Sequence, residues 1–252
     1  MILAWYRQNS AEFGRLVATS LLLRVIWRRS FVNSCNALLP ARVECPCCGW
    51  SGNRFLDYIE AGYSIRNIEC PQCGSHSRHR ALFLWLRNDF QIAQKSGAAL
   101  IFAPERALAT LWSSAPNLRK FKIDIEPVRD VEMLADVMSL PFADEVADLI
   151  WCHHVLEQVP DDRRAMRELR RVLKKQTGQL ILSAGPVAKS LTREFANAGQ
   201  HFSGNRRSYG MDLPRRLGEA GLEVTQLYCE ISEQDSRRYG ILKEPFFLCR
   251  KV

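Results

Sequence analysis

Five of the nine cysteines crowd into 29 positions, as Cys45-Pro-Cys47-Cys48-Gly49 and Cys70-Pro-Gln-Cys73-Gly74. A CxxC pair followed by glycine is a tight turn that aims two thiolates at one point, with glycine supplying backbone freedom after the second cysteine. Two such turns bring four sulfurs together, the tetrahedral donor set of zinc. The 21 residues between Cys48 and Cys70 are one more than the usual upper spacing for paired knuckles. Cys45, Cys48, Cys70 and Cys73 are the expected zinc ligands, with Cys47 as a spare thiol or an alternative ligand. Four protein ligands leave no open coordination position, so the metal is expected to be structural. Cys35, Cys152, Cys229 and Cys249 are scattered. That pattern argues against a secreted disulfide scaffold and for a cytoplasmic protein.

A hydrophobic content of 47% in 252 residues supports one full-sized globular domain with a small accessory, and excludes a disordered or fibrous chain. The net charge of +8 is uneven. Residues 1–95 hold 12 basic and 6 acidic side chains, against 23 and 21 in residues 96–252. Any attraction to an acidic partner should therefore act through the N-terminal third.

Residues 1–43 read as one or two helices, closed near Pro40. Two readings stand side by side. In one the apolar side packs on the rest of the protein. In the other Trp5, Tyr6 and Trp27, among Arg15, Arg24, Arg28 and Arg29, make residues 1–40 a peripheral contact with an anionic membrane. The apolar stretch Leu16–Leu23 has 8 residues, far short of the roughly 20 that span a bilayer. No basic n-region or small-residue cleavage site marks a signal peptide.

The cysteine module covers residues 44–76, and a connecting helix is expected over residues 77–97, from Ser77 to about Lys95, on the apolar spacing Leu82, Phe83, Leu86, Phe90. Arg42, Arg54, Arg66, Arg78, His79 and Arg80 around the module suit phosphates, while Arg78, His79 and Arg80 equally suit capping the following helix or guarding the mouth of a neighbouring site. Of the aromatics available for stacking, Trp50, Phe55, Tyr58 and Tyr63, at least half are needed for the module's own core, so nucleic acid is the less favoured partner. From Ala98 to Val252 strand-like and helix-like segments alternate, which calls for an α/β domain with a mostly parallel sheet and helices on both faces.

Within that domain, Asp136 to Pro186 reads DVMSLPFADEVADLIWCHHVLEQVPDDRRAMRELRRVLKKQTGQLILSAGP. This stretch resembles the class I S-adenosylmethionine-dependent methyltransferases, and most closely the type 11-like group with the pattern LPF-x-D, HVLEH and RVLK-x-x-G. Together with the two CPxCG knuckles it looks like a zinc-ribbon-bearing subfamily. The resemblance implies a Rossmann-like sheet, S-adenosylmethionine as cofactor and methyl transfer to an acceptor, with a small-molecule or glycan-type hydroxyl as the leading class.

The resemblance also implies site residues. Asp124, with the adjoining Ile125, would hold the ribose, where an acidic side chain at the end of the second strand accepts from hydroxyls. Asp136 and the backbone of Val137 would hold the adenine amino group. The first loop, Ala103-Pro104-Glu105, stands where most of the superfamily has GxGxG. Ala103 is small enough for close backbone approach, and Glu105 suits either the cofactor's ammonium or the start of the following helix. His153 and His154 are candidate bases for a hydroxyl acceptor, or histidines hydrogen-bonded beside the strand end. His153 also borders the cofactor side.

Gln158 stands where the family usually has histidine. His201 is a further catalytic candidate, and Arg207 and Tyr209 are candidates for substrate contact. Two rival readings remain: an RNA methyltransferase gripping RNA through the ribbon, and a non-catalytic interaction protein that has lost cofactor binding.

Overall fold

The computed structural model describes residues 2–60, 63–127, 130–185, 189–196 and 204–252. The chain forms two compact units, Met1–Leu84 with Ile231–Leu242, and Trp85–Glu230 with Lys243–Val252.

In the first unit α1 (Ile2–Phe13) and α2 (Arg15–Leu38) are separated by Gly14, whose φ of +84° lies in the left-handed region. Ala18, Leu21 and Val32 are the buried positions of α2. Leu21 packs against Ile59 with Trp5, Phe13 and Val25 around them. On the same side Arg28 Nε donates to Asp57 Oδ2 at 2.7 Å. Two short antiparallel pairs follow. β1 (Val43–Glu44) with β2 (Ser51–Gly52) encloses the first CxxC turn, and β3 (Leu56–Glu60) with β4 (Tyr63–Glu69) runs into the second. Trp50 rests against Phe55, and Tyr58 against Tyr63, so these aromatics pair within the module.

Helix α7 (Glu233–Tyr239) also belongs to this unit, although it lies between the last two strands of the other. Ser232 caps it by accepting the Asp235 amide. Arg80, fully buried, ties this segment down. Its guanidinium donates to the carbonyls of Ile68, Ser75, Tyr239 and Gly240 at 2.6 to 2.9 Å, and its Cζ lies 4.0 Å from the centre of the Phe55 ring. Arg80 is carried by α3 (Ser77–Asn88), which ends earlier than the apolar spacing suggests. A short 3₁₀ turn at Ile92–Gln94 follows, entered through Gln91 at φ +54°.

The second unit is built on a seven-stranded sheet: β5 (Gly97–Phe102), β6 (Leu118–Asp124), β7 (Met133–Leu134), β8 (Leu149–His153), β9 (Gln179–Ser183), β12 (Leu222–Leu227) and β13 (Phe246–Lys251), in the order β12-β13-β9-β8-β5-β6-β7. β5 to β9 run parallel, and β13 is antiparallel to both its neighbours. The central strands read ALIF, LIWC and LILS, continuous apolar runs suited to burial on both faces.

On one face Leu100, Ile150, Leu180 and Phe247 meet Ala165, Met166, Leu169 and Val172 of α5 (Asp162–Val172), and Leu213 and Leu217 of α6 (Leu213–Glu219). On the other, Trp112 of α4 (Ala109–Ser113) meets Trp151 edge-on. The expected helix after β5 is reduced to a 3₁₀ turn, Arg106–Leu108, and the five residues of α4. A two-residue ladder, β10 (Arg193–Glu194) with β11 (Arg207–Ser208), completes the unit.

Candidate active site and metal centre

The Sγ atoms of Cys45, Cys48, Cys70 and Cys73 all lie within 4.8 Å of one another. Cys45 to Cys73 is 3.6 Å and Cys48 to Cys70 is 3.7 Å. A tetrahedron with Zn–S bonds of about 2.3 Å has S–S edges of about 3.8 Å, so the cluster has the dimensions that zinc requires. Each knuckle is closed by its glycine: the Gly49 amide donates to Cys45 O and the Gly74 amide to Cys70 O, at φ of +75° and +72°. Ser75 Oγ lies 3.0 Å from Cys45 Sγ. Cys47 is buried beside the cluster but is not one of its four donors.

In the second unit the sequence-predicted residues gather where open parallel sheets bind ligands, beyond the carboxyl ends of the strands. Ala103 follows β5 directly, its amide donates to Ile123 O at 2.9 Å, and its φ is +47°. Glu105, one turn of chain later, places Oε2 at 3.5 Å from His153 Nε2. Asp124 closes β6 and accepts the Glu126 amide on its own loop at 3.2 Å, while Ile125 beside it is exposed. Asp136 Oδ1 accepts the Met138 amide at 2.8 Å, and the Val137 side chain is buried in the core. An open cleft of about 480 Å³ is lined by Pro104 and Glu105 together with Lys120, Lys122 and Glu132. Asp124, Asp136 and His154 do not line it.

The two histidines at the end of β8 differ in setting. His153 is buried, its Nδ1 hydrogen-bonds to Ser183 Oγ, and its ring stacks on Trp151. His154 is partly exposed and has a left-handed φ of +54°. Its Nδ1 lies 2.8 Å from Oε1 of the buried Glu157. The Gly185 amide, 3.2 Å from the same nitrogen, is the longer contact. The shorter contact, to a carboxylate that accepts, favours the ring proton on Nδ1, whereas the Gly185 amide, which donates to the same nitrogen, favours it on Nε2. Glu157 Oε2 is buried with no hydrogen-bond partner among the described residues, so the side chain's one hold is on this ring. Sequence reasoning gave Glu157 no role. Its signal was the i, i+3 spacing from His154 across a turn.

Other candidates resolve as structural. Arg207 is buried, donating to the carbonyls of Leu156, Val159 and Pro160 and to Glu194. Tyr209 is buried too, its hydroxyl 2.8 Å from Asp162 Oδ2. Both pin the loop between β8 and α5 and are not available to a substrate. His201 lies outside the described residues. Asp148 sits at the opposite, amino end of β8, bound to Lys174 Nζ and the Ala98 amide. The arginines of α5 are largely engaged inside the unit: Arg163 with Glu219, Arg164 with Met138 O, Arg170 with Gly221 O, and Arg171 with Glu168 and Asp144.

The strand order, with its single reversed strand beside the edge, is that of the Rossmann-like class I methyltransferase fold. Residues 106–182 match the family model described as "Methyltransferase domain". A malonyl-[acyl-carrier protein] O-methyltransferase of Gallionella capsiferriformans (strain ES-2) is 25% identical over 158 residues, 61% of this chain and 54% of that protein. Methyltransferase GfsG of Streptomyces halstedii is 33% identical over 106 residues, 40% of this chain and 37% of that protein. The chain thus spans about half the length of the first relative and less of the second. Among solved structures, the [4+2]-cyclase SpnF is similar at 20% identity and a TM-score of 0.49, covering 69% of this chain and 81% of that one.

Proposed function

We propose that this chain is an S-adenosylmethionine-dependent methyltransferase whose acceptor is a small-molecule or glycan-type hydroxyl, with His154 as the base. The observation that carries this reading is the carboxylate-held ring of His154 at the carboxyl end of β8, in a domain of methyltransferase sequence and fold. The cofactor, when bound, supplies a methyl group activated by a sulfonium. Ala103, Pro104, Glu105, Asp124, Ile125, Asp136 and Val137 would hold it, with His153 bordering them. The side chains of this set offer three carboxylates and no Lys or Arg, which suits a cationic ligand whose ammonium, ribose hydroxyls and adenine amino group are all donors.

His154 takes the acceptor's proton at Nε2, Glu157 orients the ring, and methyl transfer itself needs only an in-line approach. His153, buried against Ser183, positions the strand end and the first loop. The engagement of the α5 arginines inside the unit leaves an RNA acceptor only the basic residues around the cysteine module to hold it. The Cys45, Cys48, Cys70 and Cys73 site is a structural zinc ribbon. Four thiols stay available to metal in a reducing compartment, so we place the protein in the cytoplasm.

Calorimetric titration with S-adenosylmethionine is expected to give one site per chain, weakened about tenfold or more in Asp124→Ala, the loss of a charged hydrogen-bond acceptor. No binding at millimolar cofactor would overturn the proposal. Metal analysis is expected to give one zinc per chain, lost in Cys45→Ser.

A further inference from the structure

The outer side of α2 carries a stripe of exposed large apolar side chains, interrupted by Ser20 and Ser34. Leu16, Leu23, Trp27, Phe31 and Leu38 are all exposed, Leu16 and Leu38 at 89% and 82% and Trp27 at 63%. Their spacing of 7, 4, 4 and 7 residues places them within about 80° of one another at roughly 100° per residue. The stripe is about 33 Å long at 1.5 Å per residue. The inward positions Ala18, Leu21, Val25 and Val32 fall on the opposite side and account for the helix's own packing. Among the described residues nothing covers this face, and large exposed apolar patches mark interaction sites.

Charge decides what fits there. From Arg15 to Leu38 the helix has four arginines and no acidic residue. Arg28 and Arg29 are paired with Asp57 and Glu69. Arg15 and Arg24, exposed beside the stripe, make no ion pair among the described residues. A second copy of α2 would bring arginines to arginines with no carboxylate between them, whereas an anionic surface neutralises them. No described helix is long and apolar enough to cross a membrane. An apolar stripe flanked by arginines, with an exposed tryptophan at its middle, is suited to lying in the plane of a headgroup layer.

We infer that α2 is a peripheral membrane-binding surface selective for anionic lipid, with Leu23, Trp27 and Phe31 entering the headgroup boundary and Arg15 and Arg24 meeting lipid phosphates. This is independent of the methyltransferase reading. The test is cosedimentation of the full chain with vesicles of phosphatidylcholine alone, and of phosphatidylcholine containing phosphatidylglycerol, at low and high salt. Binding is expected only with phosphatidylglycerol and should weaken with salt. The double variant Leu23→Ser, Trp27→Ser, at exposed positions, is expected to keep the wild-type circular dichroism and lose about tenfold or more in vesicle partition. Charge removal in Arg15→Gln, Arg24→Gln should weaken binding with the apolar stripe intact. Failure to bind either vesicle, or equal binding to both, overturns the inference. So does lipid-free self-association, seen by sedimentation equilibrium, that the double serine variant abolishes, which would assign the stripe to a second copy.

Discussion

His154 Nδ1 and Glu157 Oε1 stand 2.8 Å apart, the histidine in a left-handed backbone conformation at the end of a central strand and the glutamate buried beneath it. The turn between them aims Nδ1 of the partly exposed histidine at a buried carboxylate, and the proposed proton acceptor is the other ring nitrogen, Nε2.

If that nitrogen takes the acceptor's proton, His154→Ala should reduce turnover by about 10² to 10⁴-fold, the usual range for loss of a general base. Glu157→Gln, which can no longer fix the tautomer, should fall between the variant and the wild type. Cofactor affinity, measured by calorimetry, should stay within about twofold in both, since neither change removes a carboxylate assigned to the cofactor. A loss of cofactor binding that parallels the loss of turnover would move His154 from proton transfer to cofactor binding.

Ala103 is held at φ +47° where a glycine would carry no steric penalty. The left-handed conformation costs a non-glycine residue about 1–2 kcal/mol. Glycine would return about 0.4–1 kcal/mol of that through the freer unfolded chain. Ala103→Gly should therefore stabilise the protein by about 0.5–1 kcal/mol in urea unfolding. Ala103→Val, β-branched at the same φ, should destabilise it. Equal stability of Ala103→Gly and wild type would mean that the loop relaxes out of this conformation.

Much of this was readable in the sequence because it rests on local rules. The CxxC-Gly turns dictate where thiolates point, and the short apolar runs at Leu100, Ile150 and Ile181, alternating with helix-like segments, read as buried parallel strands, as they are. The HHVLE segment marked the candidate site through its resemblance to a family. What could not be read depends on partners far apart in the chain. Arg80 looked like a surface phosphate ligand because nothing local shows that Tyr239 and Gly240, some 160 residues away, supply its acceptors. Arg207 and Tyr209 looked available to substrate for the same reason, their partners lying near residues 156–162. Helix α7 was missed because its seven residues are polar and none is buried, so no periodicity announces it.

Arg80 leads to a third prediction. One planar guanidinium meets four carbonyls from three segments, and a lysine ammonium cannot fan out to all of them. Arg80→Lys should lower stability by about 3 kcal/mol through unpaired buried carbonyls, and the variant should release zinc at lower chelator concentration than wild type. Stripping zinc from the wild type should lower its melting temperature, because binding energy at such a site is folding energy. Normal stability in Arg80→Lys would show that the segment 231–242 is held by other contacts.

The last prediction concerns the docking of α2 through Asp57. Burial disfavours its charged form, but the Asn67 amide and the guanidiniums of Arg28 and Arg54 outweigh this and hold its carboxyl below the ordinary range. A carboxyl with a folded value below its unfolded value of about 3.9 contributes stability that is complete well above that value and is lost as pH falls through the folded one. Asp57→Asn keeps the shape and removes the charge, and should be less stable than wild type by about 2 kcal/mol near neutral pH, the worth of a charged hydrogen bond. The difference should stay constant from about pH 8 to pH 5 and shrink below about pH 4, as the wild-type carboxyl becomes protonated and the two chains come to resemble each other. Comparing the two proteins at each pH cancels the protonation of the four clustered cysteines, which they share. A difference that persists unchanged to pH 2 would mean that Asp57 acts through its shape and hydrogen bonds and its charge contributes nothing.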